Sequence, residues 1–377
     1  MAKQRNDTGR AKPASAARAP ILDYEPPRPR AYNPAIGLIG CGGITQSHLR
    51  AYRKAGFRVT ALCDIDAARA EQRRQQFYPR AKTFTDYRLL LREKEIEVVD
   101  IATHPRERAA IIAAAVKAGK HVLSQKPFVT DLDVGERLAD LAEARGVLLA
   151  VNQNGRWAPY FSYMRAAAAK GLIGEPYAVH MGCHWDHEWV RGGPFDSVYH
   201  LVLYDFAIHW FDMIHCLMRG RTPQMASATL AYAPGQKARP PLLGQAVISF
   251  DHGQASLVFD ACTRGPGLER TVVIGTRGML RSEGDVCLAS SVTLATAKGS
   301  AVARVRGKWM VDGFRGTMGE LLCAVEEKRL PSNSARDSLE SLAMCFAAVA
   351  SADTGSAKKI GTVRKLSPGR TLQPSGV

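Results

Sequence analysis

No run of apolar residues in this 377-residue sequence approaches the ~18–20 needed to cross a bilayer; the stretch Ala109–Val116 is stopped by Lys117. No C-x-x-C pair occurs either. The 8 cysteines (Cys41, Cys63, Cys183, Cys216, Cys262, Cys287, Cys323 and Cys345) are widely scattered. That argues against a zinc ribbon or a disulfide framework and fits reduced, mostly buried thiols in a cytoplasmic protein. The basic N-terminus has no apolar core behind it, so no secretory leader is expected. There is no internal repeat. A concentrated basic stripe is also missing, although the net charge is +16. Residues 1–31 hold seven Lys/Arg against three Asp/Glu, and residues 353–377 five against one, which leaves +8 for the body. Specific nucleic-acid binding and a membrane partner are therefore not expected; the surface suits an anionic substrate or a polyanionic cofactor.

What is present is ordinary globular composition, 46% hydrophobic and 23% charged, with a length that predicts two domains. Residues 1–31, rich in Ala, Pro, Arg and Lys without a periodic apolar face, read as a flexible basic arm, and residues 363–377 as a flexible tail. Between residues 32 and 151, short apolar runs (Ala35–Gly40, Val59–Asp64, Val98–Ala102, His121–Ser124, Val147–Val151) alternate with helical patterns such as Arg106–Ala118 and Val134–Arg145. This alternation predicts a parallel sheet covered on both faces. The region 152–362 changes character. Helices are expected at Tyr160–Lys170 and Leu201–Met218, then alternating strands at Gln245–Phe250, Ala255–Phe259 and Val272–Ile274, then helices at Gly316–Lys328 and Ser338–Ala352. The fold class read from this is α/β: an N-terminal parallel-sheet domain, then an α+β domain with a largely antiparallel open sheet.

Gly40-Cys41-Gly42-Gly43-Ile44-Thr45 follows the first strand and opens a helix. Gly40 permits the turn, and Gly42 lets the backbone approach a pyrophosphate held by the helix N-terminus. Thr45 stands where Gly or Ala completes the fingerprint. Asp64 ends the second strand twenty-two residues beyond Gly42. Its carboxylate suits both ribose hydroxyls and repels a 2′-phosphate, so NAD is expected over NADP; the plain alternative is a helix cap.

Leu201–Met218 is apolar nearly all round, as in a buried helix, yet carries Asp205, His209 and Asp212. At ~100° per residue these fall within about 60° of one another. Buried ionisable groups need partners or a cavity. Acid–base chemistry, a metal, or a structural hydrogen-bonded network all fit such a face, and acid–base work fits best because no further ligand cluster accompanies it. Gln125-Lys126-Pro127 follows the fourth long strand, where ligands sit in parallel sheets; taken alone, a strand-end lysine is also an ordinary surface residue. Trp185, in His184-Trp185-Asp186-His187, offers a ring for a sugar face, and its polar neighbours suit hydroxyls; a plain surface turn is the alternative. His184 and His187 lack the partners of a metal site, and none is expected.

Taken in order, these segments resemble the Gfo/Idh/MocA family (glucose–fructose oxidoreductase, inositol dehydrogenase, rhizopine catabolism) over roughly residues 33–362. The resemblance rests on Gly40–Ile44, on Ala118-Gly119-Lys120-His121-Val122-Leu123-Ser124-Gln125-Lys126-Pro127, on Asn154-Gly155-Arg156-Trp157-Ala158-Pro159, and on Asp205, Ala207, His209 and Asp212. It implies a Rossmann domain, a second domain that binds substrate and forms a homodimer or homotetramer, and hydride transfer between a sugar, polyol or related cyclic alcohol and the nicotinamide. Carried over by position, Lys126, Asp205 and His209 surround the reacting hydroxyl, with His209 as the base. Gly40, Gly42, Gly43, Ile44, Asp64, Thr103, Pro105, Gln125 and Lys126 meet the cofactor. Arg156, Trp157, Trp185, Asp205 and His209 meet the substrate. Three departures stand out: Gln125 replaces the usual Glu, Arg108 stands about where a His often follows Thr103-His104-Pro105, and His200–Tyr204 replaces the usual glycines. The last two are expected at the pocket rim. The same resemblance admits elimination through transient oxidation, or a non-catalytic nucleotide-binding sensor.

Overall fold

The computed structural model describes residues 18–369 and Leu372. Its first half builds from the alternation already noted. Strands β1 (Ala35–Ile39), β2 (Arg58–Cys63), β3 (Lys82–Phe84), β4 (Ile96–Ile101), β5 (His121–Ser124) and β6 (Leu149–Val151) alternate with helices α1 (Thr45–Ala55), α2 (Ala67–Phe77), α3 (Tyr87–Arg92), α4 (Pro105–Lys117) and α5 (Leu132–Ala144). All pairings are parallel, in the order β3-β2-β1-β4-β5-β6. β1 is buried at all five residues, as a central strand covered on both faces must be. Aspartates start the helices: Asp66, Asp86 and Asp131 each accept a backbone N–H of α2, α3 and α5. The strand order reverses at β1/β4, so the loops after those strands open a crevice at their carboxyl ends.

The second half contains α6 (Pro159–Ala169), β7 (Pro176–His184), α7 (Ile208–Leu217), β8 (Pro223–Ala231), β9 (Leu243–Phe250), β10 (Gly253–Asp260), β11 (Leu268–Gly275), β12 (Gly278–Gly284), β13 (Ser291–Thr296), β14 (Gly299–Arg304), α8 (Trp309–Glu326), α9 (Ala335–Thr354) and β15 (Lys358–Lys359). The sheet order is β14-β13-β12-β11-β7-β10-β9-β8-β15, antiparallel throughout except for β7 beside β10. Its inner side chains, such as Val179, Ile248, Leu257 and Phe259, pack in one core with Phe211 and Phe346 of α7 and α9. The outer face leaves Val247, Val258, Met279 and Val302 exposed. The two halves interlock. Phe314, Met318, Leu321 and Leu322 of α8 share a core with Ile36, Leu38, Leu62 and Val98 of the parallel sheet. Among the described residues, no helix is long and apolar enough to cross a membrane.

Three expectations need correction. The arm from Arg18 to Ala31 is a docked strap: Leu22 is buried, Ser162 and Tyr163 donate to the carbonyls of Tyr24 and Pro20, and the Glu326 carboxylate accepts from the amides of Arg30, Ala31 and Tyr32. Residues 1–17 lie outside the described residues. The segment 363–369 is also packed: Arg364 O and Thr130 O pair with Leu132 N and Leu366 N, and Arg364 meets Asp133 and Glu136. Lastly, Leu201–Met218 is not one helix. Leu201–Phe206 forms a wider π turn, closed by Ala207 N–H donating to Val202 O at 2.9 Å, before α7 begins.

Candidate active site

At the cofactor end, Gly40 has φ +93°, and a Cβ there would sit 2.8 Å from Ala102 O, so only glycine fits. A Cβ on Gly42 or Gly43 would meet nothing within 4 Å: their backbone faces open space in front of α1. α1 starts without a side-chain cap: the amides of Thr45, Gln46 and Ser47 turn back to the carbonyls of Gly42, Gly43 and Ile44, and the amides of Gly42, Gly43 and Ile44 lie ahead of the helix for a ligand. Thr45 is buried and donates to Gly42 O at 2.6 Å, tying the loop from beneath. Asp64 lies beside the loop, not on a helix: Oδ2 accepts from Cys41 N at 2.7 Å and Oδ1 from Asp66 N at 3.0 Å, while Asp66 caps α2. The helix-cap alternative for Asp64 therefore falls. These residues fit a dinucleotide: a cradle with room for pyrophosphate, loop amides from Gly42 to Ile44 just ahead of a helix, and a carboxylate next to the loop for a ribose.

The β4 and β5 loops form the next wall. Thr103 follows β4 beside Gly40, and Pro105 opens α4. Arg108 is not at the rim. It is 1% exposed and donates to the carbonyls of Thr103, Gln125 and Pro127, which staples the two loops together. Burial pushes this guanidinium down to about 10. The Gln125 side chain turns inward, away from the crevice, and is 5% exposed. Lys126 points the other way. Its Nζ donates to Asp205 O at 2.7 Å and lies 3.2 Å from Asp205 Oδ2, each side chain being 15% exposed.

The π turn shapes the far wall. Its i→i+5 bond adds a residue to the turn, so Asp205 offers both its carbonyl and its carboxylate to Lys126. His209 follows on α7. Its Nδ1 is buried without a partner, and burial, joined by the Lys126 charge, holds the imidazole well below its usual range. Asp212 does not share this face. It forms a bidentate pair with Arg156 at 2.5–2.6 Å and accepts from Ser341 at 2.9 Å.

His187, in the sequence only one of several polar neighbours of Trp185, is singled out by the structure. It is 6% exposed, its ring centroid is 3.8 Å from that of Phe206, next to Asp205, and its Nε2 is buried without a partner. The Trp185 indole N–H donates to His187 Nδ1. An indole nitrogen only donates, so the proton of His187 sits on Nε2. Burial first, then the Lys126 charge, pushes this imidazole down to about 3. Two neutral imidazoles and one ammonium thus share a half-sheltered space. The sequence signal was the Trp-x-His spacing at a strand end. Trp185 itself packs on Phe206 and Phe259. His184 pairs with Asp260 at 2.7 Å.

Arg156 and Trp157, expected on the substrate, are not brought there. The Arg156 side chain is 0% exposed and spent on Asp212, Asp337 and Ser332 O. Trp157 is buried under the Arg165 guanidinium and lines a cavity beside the strap.

Comparison with known proteins agrees with the fold. Residues 35–153 match the model of the Gfo/Idh/MocA oxidoreductase family's NAD-binding Rossmann fold, and residues 161–281 match that of the family's C-terminal domain. D-apiose dehydrogenase of Paraburkholderia graminis is 26% identical over 360 residues, 90% of this chain and 93% of that one. Inositol 2-dehydrogenase of Paracoccus denitrificans is 30% identical over 186 residues, 48% of this chain and 54% of the relative. Among solved structures, an Agrobacterium radiobacter oxidoreductase in complex with NAD+, L-tartaric acid and magnesium superposes with a TM-score of 0.78 at 19% identity, over 87% of this chain and 99% of that one. Levoglucosan dehydrogenase with NADH and levoglucosan gives 0.75 at 19% identity, over 88% and 100%. With an NAD-binding Rossmann domain, a mostly antiparallel second domain and both family models matched in order, the chain belongs to the Gfo/Idh/MocA family of oxidoreductases.

Proposed function

We propose that this enzyme transfers a hydride between NAD and one CH–OH group of a sugar, polyol or related cyclic alcohol, with Lys126, Asp205 and His209 around the reacting oxygen. The observation that carries the reading is the Lys126 ammonium, anchored on Asp205 and facing two neutral imidazoles. Relatives named for apiose, inositol and levoglucosan support the substrate class.

NAD, when bound, supplies the hydride acceptor. The other roles belong to the protein. Lys126 donates a hydrogen bond to the substrate oxygen and stabilises the alkoxide charge in a sheltered, low-dielectric place. Asp205 keeps that ammonium aimed and accepts from a neighbouring hydroxyl. His209, held neutral, accepts the hydroxyl proton on oxidation and returns it on reduction. His187 Nε2–H donates to a further hydroxyl, the bond for which it has no protein partner. Exposed Val247, Val258, Met279 and Val302 on the outer sheet face support assembly with further copies of the chain.

The test is a panel of sugars and polyols with NAD and NADP, followed by the absorbance of reduced nicotinamide. Turnover of at least one polyol is expected, with NAD bound ~10-fold or more tightly than NADP (about 1.4 kcal/mol) and the gap narrowed by Asp64→Ser. Equal affinity for both cofactors contradicts the role given to Asp64, and no redox turnover across the panel contradicts the dehydrogenase reading.

A further inference from the structure

A second polar cluster lies buried behind the crevice. Asp100 of β4 accepts on Oδ2 from Tyr52 OH and pairs with His48 Nδ1, each at 2.7 Å; His48 and Asp100 are both 0% exposed. On the other side of the ring, His48 Nε2 meets Gln125 Nε2 at 3.3 Å and Asn152 Nδ2 at 3.4 Å. Asn152 Oδ1 accepts from Thr317 of α8 at 3.0 Å, and Phe314 of α8 covers the ring at a centroid distance of 4.2 Å. Gln125 Oε1 accepts the backbone N–H of Lys126 at 2.8 Å.

The last bond fixes the cluster's polarity. A backbone N–H only donates, so the oxygen of the Gln125 amide must face Lys126 and its nitrogen must face His48. An amide nitrogen also only donates, so His48 Nε2 is an acceptor and carries no proton. The one proton of His48 then sits on Nδ1 and goes to Asp100. The charged groups around the ring are few. Asp100 faces it from β4, Tyr52 adds a neutral phenol from α1, and the Arg108 charge on α4 reaches Asp100. Arg108 also donates to Gln125 O. Gln125 is therefore held by its carbonyl and by both ends of its amide, and the chain leaves it directly into Lys126.

We propose that Asp100, His48 and Gln125 form a one-way hydrogen-bond relay that positions Lys126 and keeps His48 at a single proton. His48 and Gln125 are positioning residues: they touch the Lys126 backbone or one another and act through the lysine. The proposal rests on the reading that Lys126 serves the reaction. An amide is required at position 125 because it donates to one neighbour and accepts from the other. A carboxylate of the same shape accepts from both, and so demands a second proton on His48.

The experiment is nitrogen-15 NMR of the histidine side chains in the full chain, with His48 assigned from His48→Asn. In the unmodified protein at pH 7, His48 is expected to show one proton, on Nδ1. In Gln125→Glu it is expected to carry two at pH 7, with the pH profile of turnover displaced. Two protons in the unmodified protein, or one in Gln125→Glu, overturns the relay. Gln125→Met gives a second readout, since it neither accepts from Lys126 nor donates to His48. Hydrogen exchange at the Lys126 amide should quicken at least ~10-fold and kcat fall ~10-fold or more, with NAD affinity held, as small misplacements of a reacting group do. Unchanged amide exchange overturns the positioning role. Lys126→Ala separates the two readings: if it turns over normally, the role of Lys126 fails while the protonation result for His48 still decides the relay.

Discussion

Two ion pairs anchored near the same helix, seven residues apart in sequence, have opposite characters. Arg156–Asp212 is closed: a bidentate contact, side chains 0% and 2% exposed, remaining valences taken by Ser341, Asp337 and Ser332 O. Lys126–Asp205 is open: one carboxylate oxygen and the Asp205 carbonyl on the ammonium, 15% exposed on each side, beside imidazole nitrogens without partners. A buried pair whose every valence is used holds elements together, here the 154–157 turn, α7 and α9. A pair that leaves donors unspent at a crevice has capacity for a ligand. Residue type alone does not separate the two, since each is one base and one aspartate.

The sharpest way to break the comparison is to remove one partner of the closed pair. Arg156→Met leaves Asp212 buried without its cation, while Asp337 keeps Arg219 and His215. Breaking a buried pair costs about 3–5 kcal/mol, so the melting temperature should drop strongly while the NAD affinity of the remaining folded protein holds. A variant with normal stability and lost turnover would place Arg156 in the chemistry instead.

A smaller effect tests the sheltered imidazoles. The folded His187 sits at about 3, below the ~6.5 of an unfolded chain. Between those values the unfolded state binds a proton that the folded state refuses. Stability is therefore complete above ~6.5 and falls as pH drops, by up to ~1.4 kcal/mol per pH unit for this one group; His209 acts in the same direction. Denaturant midpoints from pH 7 to 4.5 should show the decline, and His187→Gln should flatten it by about one proton. An unchanged slope contradicts the buried, neutral state of His187.

How much of this could be read beforehand follows from how local each signal is. The parallel sheet, the glycine turn and Asp64 were legible because β-α alternation and a strand-end carboxylate depend on near neighbours in sequence. The shared face of Asp205, His209 and Asp212 was legible only in part. The helical angle assumed an unbroken α register, and an i→i+5 bond leaves no mark in residue types, so the place of Asp205 relative to α7 was misjudged; Asp212 was assigned to the site because its partners, Arg156 and Ser341, are distant in sequence. Arg156 depends on partners 56 and 181 residues away, which no spacing reveals. The strap was missed because an extended segment that buries Leu22 and spends its amides on Glu326 has no helical or strand period. Arg108 and His187 were visible as residues, but their burial is a property of the packed loops.

The account stands most directly on His209→Ala, measured for melting temperature, NAD affinity and turnover on one preparation. The open site predicts a folded protein that binds NAD within a few-fold of the original and turns over ~10²–10⁴-fold more slowly, the usual worth of positioned acid–base help. In the unmodified enzyme, oxidation should lose rate only well below neutral pH, where His209 takes up its proton. A folded, NAD-binding His209→Ala enzyme with near-normal turnover would contradict the claim that this face carries the chemistry.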